Sequence, residues 1–266
     1  MTQAGATPMS TPGPAVSGRV PAWRPLVAQT GAEIYMTLRR GETLLLTVGI
    51  PVVFLVFFSK VSVISTPTAN PVDFFVPGIL ALAVMSTAMV SLGIATGFER
   101  GYGVLKRLGS TPLGRPRLLG AKIVTIVAVE LLQAAVLLPV GVGLGWNPGG
   151  GAAVAVPAAI GAILLGSAAF AGIGLFMAGT LRAEVNLAAA NGLYLILLLL
   201  GGMIVPIEKL GSGLADFAKL LPAEALSAAL HASLGTGTAV PTESWLVLAV
   251  WAVAAPAAAA LTFRWE

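Results

Sequence analysis

Cysteine is absent from the 266 residues and histidine occurs once, as His231. No disulfide and no thiolate chemistry is open to such a chain, and a two-histidine metal site is excluded. Charge is scarce as well: Asp, Glu, Lys and Arg make up 10% of the sequence, against about 25% in a soluble globular domain. What fills the space is apolar, with 57% hydrophobic residues and a mean hydropathy of +0.93. A buried core does not account for this, because a soluble fold of the same length needs a charged surface. A bilayer does, since side chains that face lipid are apolar too. The composition therefore specifies a membrane protein, and the helix-length apolar runs along the chain make the expected fold an all-α membrane protein.

Spans need about 20 mostly apolar residues each. Six segments meet this requirement: 43–63, 74–97, 121–145, 152–181, 187–205 and 244–263. Residues 1–22, rich in Pro, Ser, Thr, Gly and Ala, have no basic stretch leading into an apolar one. They read as a disordered tail rather than a signal peptide, leaving 23–266 as a single transmembrane domain. Residues 23–42 mix Trp23, Leu26, Ile34 and Leu38 with Arg24, Arg39 and Arg40. This suits an amphipathic helix on an anionic leaflet, or an extension of the first span. Between the fifth and sixth segments, Leu210, Leu214, Phe217 and Leu221 recur at helical spacing, as do Ala225, Leu226, Ala229 and Leu230, with Pro222 between the two runs. These runs predict two short amphipathic helices dipping into the outer interface, neither long enough to cross. His231 follows the second and reads as an interfacial residue.

The formal charge of +4 resembles a nucleic-acid signal until its carriers are placed. With the amino terminus in the cytoplasm, Lys60, Lys209 and Lys219 lie outside, and the other twelve of the fifteen Lys and Arg lie inside. The positive-inside rule thus puts both termini in the cytoplasm and gives no reason to expect a nucleic-acid partner. Trp146, Trp245 and Trp265 fall near span ends, where an aromatic belt places them.

The most charged segment, 98–120, joins the second and third spans. Leu105 and Leu108 share one face of a short helix there, while Lys106 and Arg107 project elsewhere. Thr111-Pro112 ends it, since a residue before proline avoids the helical region. A short cytoplasmic helix joined to two spans can transmit force to or from a soluble partner, or it can be a positive loop that fixes topology. Within the spans, Glu130 is the one acid placed deep, about 12 Å beyond Lys122 at ~1.5 Å per residue. Intramembrane acids are costly and face the bundle interior or water. Gln133 lies one turn away. Thr87 and Ser91 are spaced i, i+4, and Asn191 and Tyr194 i, i+3; such residues line a path, or hydrogen-bond between helices for about 0.6 kcal/mol each. Gly93, Gly97 and Gly101 form overlapping G-x-x-x-G patterns at the inner end of the second span.

Glu99-Arg100-Gly101, then Leu105, Leu108, Thr111-Pro112-Leu113 and Arg115, resemble the cytoplasmic loop of the ABC-2 type permeases. In those membrane-spanning subunits of ABC exporters the loop reads Glu-Arg-x-x-Gly-Thr or a close variant, then leucines and Thr-Pro. Tyr102-Gly103 departs from it, standing where the family often has Thr-Leu. Met203-Ile204-Val205-Pro206-Ile207 and the run from Leu220 to Leu230 resemble the family's fifth span and re-entrant helices. The resemblance implies a fold of six transmembrane helices, paired with a second permease copy or paralogue around a conduit. It implies that 23–42 is a connecting helix and 99–109 a coupling helix. Glu99, Arg100, Gly101, Leu105, Lys106, Arg107, Leu108, Thr111 and Pro112 would then seat an ATP-binding cassette ATPase subunit. ATP and magnesium would be held by that subunit and no cofactor by this chain. The implied activity is export of a hydrophobic or amphiphilic cargo across the plasma membrane, with lipid as the surrounding partner.

An independent reading of the residues agrees on one point. No G-x-x-x-x-G-K-[ST] phosphate loop occurs in the sequence. If ATP drives this chain, another chain binds it. An intramembrane enzyme would need histidines, cysteines or paired carboxylates that the sequence does not present. An ion-driven secondary transporter is the alternative. Such folds place several charged or broken-helix sites at mid-membrane and often carry inverted repeats. Here only Glu130 qualifies.

Overall fold

Asparagine and proline begin the most buried helix of the molecule. Asn70 is extended, and its side chain accepts a hydrogen bond from the Val72 amide, while Pro71 opens the first turn with a φ already suited to it. In the computed structural model, which describes residues 23–39, 41–61, 66–109, 115–149 and 152–264, the chain is all-helical. The expected tail at 1–22 lies outside the described residues, as do Arg40, Thr111, Pro112 and Trp265.

Eleven α-helices are described: α1 Trp23–Arg39, α2 Gly41–Lys60, α3 Pro71–Met85, α4 Leu92–Gly101, α5 Val104–Gly109, α6 Arg115–Gly143, α7 Ala152–Thr180, α8 Ala183–Leu200, α9 Ser212–Ala218, α10 Pro222–Leu230 and α11 Thr242–Thr262. A π turn, Ser86–Ser91, joins α3 to α4 in one continuous span, Pro71–Gly101, and a second π turn, His231–Thr236, extends α10. Among the described residues, five helical segments are long and apolar enough to cross a membrane: Pro71–Gly101, Gly120–Gly143, Ala155–Thr180, Ala183–Leu200 and Thr242–Thr262. The first of the six expected spans, 43–63, falls on α2, Gly41–Lys60, within which Leu45–Lys60 is a shorter apolar helix among the described residues. The second runs past the expected 74–97 to Gly101, at the end of the bundle termed inner (the opposite end outer), because Glu99 and Arg100 there both find partners inside the protein. The fifth ends earlier than expected: the chain leaves helix at Gly201, and Gly202 turns it with φ +63°.

The α3–α4 span is the centre of the bundle, and most of its length is buried. It packs against α7, which in turn lies along α11, while α2 and α6 flank α3 and α8 flanks α4. Stacked Phe58 and Phe75, with ring centroids 5.4 Å apart, join α2 to α3. Small residues set the closest approaches. A Cβ at Gly93 would lie 3.0 Å from the Gly174 Cα and its carbonyl oxygen, so α4 and α7 touch backbone to backbone at the inner end of the span. Trp146 departs from the aromatic-belt expectation: it is buried, packed beside Gly141 at the outer end of α6. The two short helices expected from the periodicity are α9 and α10. α10 is largely buried against α3, α7 and α11, whereas α9 keeps Leu214 and Phe217 exposed.

Candidate functional site

The segment that leaves the central span is pinned on two sides. α4 stops because Gly103 takes φ +70°, with the Tyr102 amide donating to the Phe98 carbonyl and the Gly103 amide to the Arg100 carbonyl, both at 2.9 Å. A left-handed glycine is a common helix stop, and a side chain there would be strained. The Tyr102-Gly103 departure from the family pattern is thus the hinge into α5. Arg100 reaches away from the loop: its guanidinium donates to the carbonyls of Gly179 and Leu181 at the end of α7. Those carbonyls have no intrahelical donor and carry the negative end of the helix dipole. Glu99 reaches the other way, to Lys122 of α6, whose Nζ lies 2.8 Å from its Oε1 and 2.7 Å from its Oε2. On α5 itself Leu105 is fully buried, while Val104, Lys106 and Arg107 are exposed, as is Tyr102 just before it. The Leu108 side chain lies outside what the structure describes.

Lys122, Glu99 and Glu33 line an inner cavity of about 190 Å³ together with Thr47, Thr87, Ser91 and Thr125. The structure thereby brings Thr87 and Ser91 into one space with Glu99. Thr87 also donates to the Gln133 Oε1 at 3.2 Å, and Gln133 Nε2 donates to the Thr47 carbonyl at 2.9 Å, so one hydrogen-bonded chain crosses the π turn, α6 and α2. Glu130 is buried a turn away and accepts from Ser167 of α7, and its Oε1 has no hydrogen-bond partner in the protein. Asn191 and Tyr194 do not join this group. The Asn191 side chain donates back to the Leu187 carbonyl of its own helix at 2.8 Å, and Tyr194 packs against the core.

Four residues outside the sequence-based selection take part in these contacts: Glu33, Lys122, Ser167 and Asn186. Asn186 of α8 is fully buried and donates to the Gly93 carbonyl at 2.8 Å, tying α8 to α4. Lys122 entered the sequence reading only as an inner positive charge. A charged residue in the first turn of an apolar span, with carboxylates on two neighbouring inner segments, is the signal that marks it.

On the outer side, an indentation of about 220 Å³ is lined by Asp73, Glu208, Glu224 and His231 among others. His231 is not free at the interface: its Nε2 lies 3.0 Å from the Phe74 carbonyl, its Nδ1 2.8 Å from the Ser227 carbonyl, and its ring packs on Phe74. Burial lowers its pKa from the ordinary histidine value, and burial raises that of Glu224. A third space, about 460 Å³ and almost wholly apolar, opens between α7, α8 and α11 below Leu221 and Pro222.

No curated protein matches the chain. The sequence profile of the ABC-2 type transporters matches residues 26–234, from α1 through α10 and most of its π turn. That match takes in the pinned loop, the polar inner cavity and five of the six apolar helices, and with several helices fit to cross a bilayer it makes the protein an integral, multi-pass membrane permease rather than an ATPase. The chain belongs to the ABC-2 type transporter family.

Proposed function

We propose that this chain is the membrane-spanning subunit of an ATP-driven exporter, working as a dimer with a second permease copy or paralogue in the plasma membrane, with both termini in the cytoplasm. A separate ATP-binding cassette subunit binds ATP and magnesium, seats on 99–112 and drives the cycle. Members of the family usually work with such a subunit. The observation that carries the reading is the mounting of α5. It is a short helix with Leu105 turned into the protein and Tyr102, Lys106 and Arg107 turned out, on a stem fixed to α7 through Arg100 and to α6 through Glu99. A flexible loop would absorb a push from outside the membrane; a stem anchored to two helices passes it on. The cargo is hydrophobic or amphiphilic, as the apolar space between α7, α8 and α11 favours. The positive-inside count of Lys and Arg, together with the resemblance of 99–115 to the family's cytoplasmic loop, supports the orientation.

The test is a mild-detergent pull-down of the tagged protein, with ATPase activity assayed on the purified complex, beside a variant carrying Glu99→Ala and Leu105→Asp. Co-purification of a phosphate-loop protein, lost or uncoupled in the variant, supports the reading. A wild-type protein found alone and without ATPase in every detergent removes its main support. The unpartnered Oε1 of buried Glu130 favours one alternative, a carrier driven by an ion gradient. Transport that needs no ATP and is abolished by Glu130→Gln would select it.

A further inference from the structure

One ammonium group holds three elements together at the inner end of the bundle. Lys122 of α6 is 5% exposed. Its Nζ faces both oxygens of Glu99, in the last turn of α4, and lies 3.7 Å from the Glu33 Oε1 of α1. Gln29, one turn before Glu33, donates to that same Oε1 at 3.0 Å and orients it. A buried charge whose partner is withdrawn is left uncompensated in a medium that solvates it poorly, so the members of such a group are held to one another more strictly than surface ions are. α1 and α6 also pack along each other, whereas among the described residues α1 and α4 do not pack closely.

We infer that Lys122 is a positioning residue: it locks the middle of α1 to the inner ends of α4 and α6 as one rigid unit, so that displacement of the α4–α5 stem is carried to α1 and α6 together. The inference rests on the reading of that stem as the seat of the ATPase subunit. Arg100 and Glu99 divide the work. Adjacent helical residues point about 100° apart, and the two side chains accordingly tie α4 to α7 on one side and to α6 and α1 on the other. The adjoining cavity of about 190 Å³ leaves open space on one flank of the ionic group, so the unit can shift without repacking an apolar core. Glu33, Glu99 and Lys122 carry a formal sum of −1, so a cation between the two carboxylates is what keeps them close.

The absence of cysteine makes the experiment direct. Spin labels go on Tyr35→Cys of α1 and Tyr102→Cys at the stem, both well exposed, in full-length protein in phosphatidylethanolamine–phosphatidylglycerol nanodiscs. The interlabel distance distribution is narrow in the parent and in Lys122→Arg. It is at least twofold broader in Lys122→Met, and narrow again when Glu99→Lys and Lys122→Glu are combined. An unchanged width in Lys122→Met overturns the inference. So does a combined variant as broad as either single one, and this comparison still decides if Lys122→Met fails to fold. A second label pair, Tyr35→Cys with Leu246→Cys on the outer end of α11, is measured in the complex with the ATPase subunit. ATP with vanadate shifts that distance in the parent and not in Lys122→Met; a shift that persists in Lys122→Met also overturns the inference. If no ATPase subunit co-purifies, the functional reading fails, and the nanodisc distributions alone decide whether Lys122 locks the unit.

Discussion

Removing the Arg100 guanidinium separates an architectural role from a docking role for a residue inside the presumed contact motif. In the structure both ends of the guanidinium are used on α7, at the carbonyls of Gly179 and Leu181. Hydrogen bonds to a charged donor contribute about 1.5–3 kcal/mol each. Arg100 is only partly buried, so solvent screens the pair. The Gly179 carbonyl also retains a 3.2 Å bond from the Arg264 amide. Arg100→Met is therefore expected to cost about 2 kcal/mol in total, and to lower Tm by about 4–8 °C at ~2–4 °C per kcal/mol for a domain of this size. Arg100→Lys, which can satisfy one carbonyl at a time, falls between. The assay is thermal unfolding of detergent-purified protein followed by a fluorescent size-exclusion readout, run beside ATPase co-purification. An Arg100→Met protein with unchanged Tm that has lost the ATPase subunit refutes the argument, because the guanidinium would then face the partner and not α7.

Four further outcomes are expected. Gly172→Leu brings a Cβ to within 2.4 Å of the Pro256 backbone nitrogen in α11, so it costs at least the ~1–3 kcal/mol of an overpacked core and lowers the yield of monodisperse protein. Gly192→Ala, with nothing within 4 Å, leaves thermal unfolding unchanged or raises it by up to ~1 kcal/mol. The folded pKa of His231 is depressed by burial, so the unfolded chain binds the extra proton first. Its contribution is complete above pH ~6.5 and is lost as pH falls below that value. The raised pKa of Glu224 acts with the opposite sign in acid. The check is therefore the difference in Tm between parent and His231→Gln at pH 7.5 and 5.5: it shrinks on acidification, and a difference that stays constant removes the argument. Finally, a double-mutant cycle of Thr87→Val with Gln133→Leu should give a coupling of about 0.6 kcal/mol, the average for hydrogen bonds between membrane helices. A coupling near zero with a large change in transport would assign the pair to the cargo path.

Hydropathy and punctuation made most of the architecture readable from sequence. The apolar runs gave four spans within a few residues of their observed ends, and Pro222 separated the two short helices correctly. What sequence did not reveal depends on partners distant along the chain. The inner limit of the central span moved from 97 to Gly101 because Lys122, 23 residues on from Glu99, and the carbonyls of Gly179 and Leu181 neutralise its last turn. Trp146 looked like an interfacial tryptophan by its place at a span end, yet the glycine at 141 lets the chain fold it inward. The π turn at Ser86–Ser91 left no mark in the composition, since Ser, Thr, Ala, Met and Val sit equally well in an unbroken helix. Of the polar residues selected within the spans, Thr87, Ser91, Gln133 and Glu130 gather along the first two-thirds of α6, whereas Asn191 and Tyr194 serve their own helix and the core.

The inner charges fall into two classes that sequence alone counted together. Glu99 and Lys122 join α4 to α6 and Arg100 joins α4 to α7; Lys106, Arg107 and the aromatic face of Tyr102 lie on the surface of the stem and α5. Positive-inside arithmetic cannot distinguish them, because it depends on side of the membrane and not on burial. The distinction matters for how substitutions in the loop are interpreted. Loss of activity in Glu99→Ala reports a broken joint between α4 and α6, whereas loss in Tyr102→Ala reports a changed exposed face. A contact surface for a soluble subunit has to be drawn from the second class, and a transmission defect from the first. Variants of both classes, compared for subunit binding and for nucleotide-dependent movement, therefore separate recognition from the passage of force through the stem.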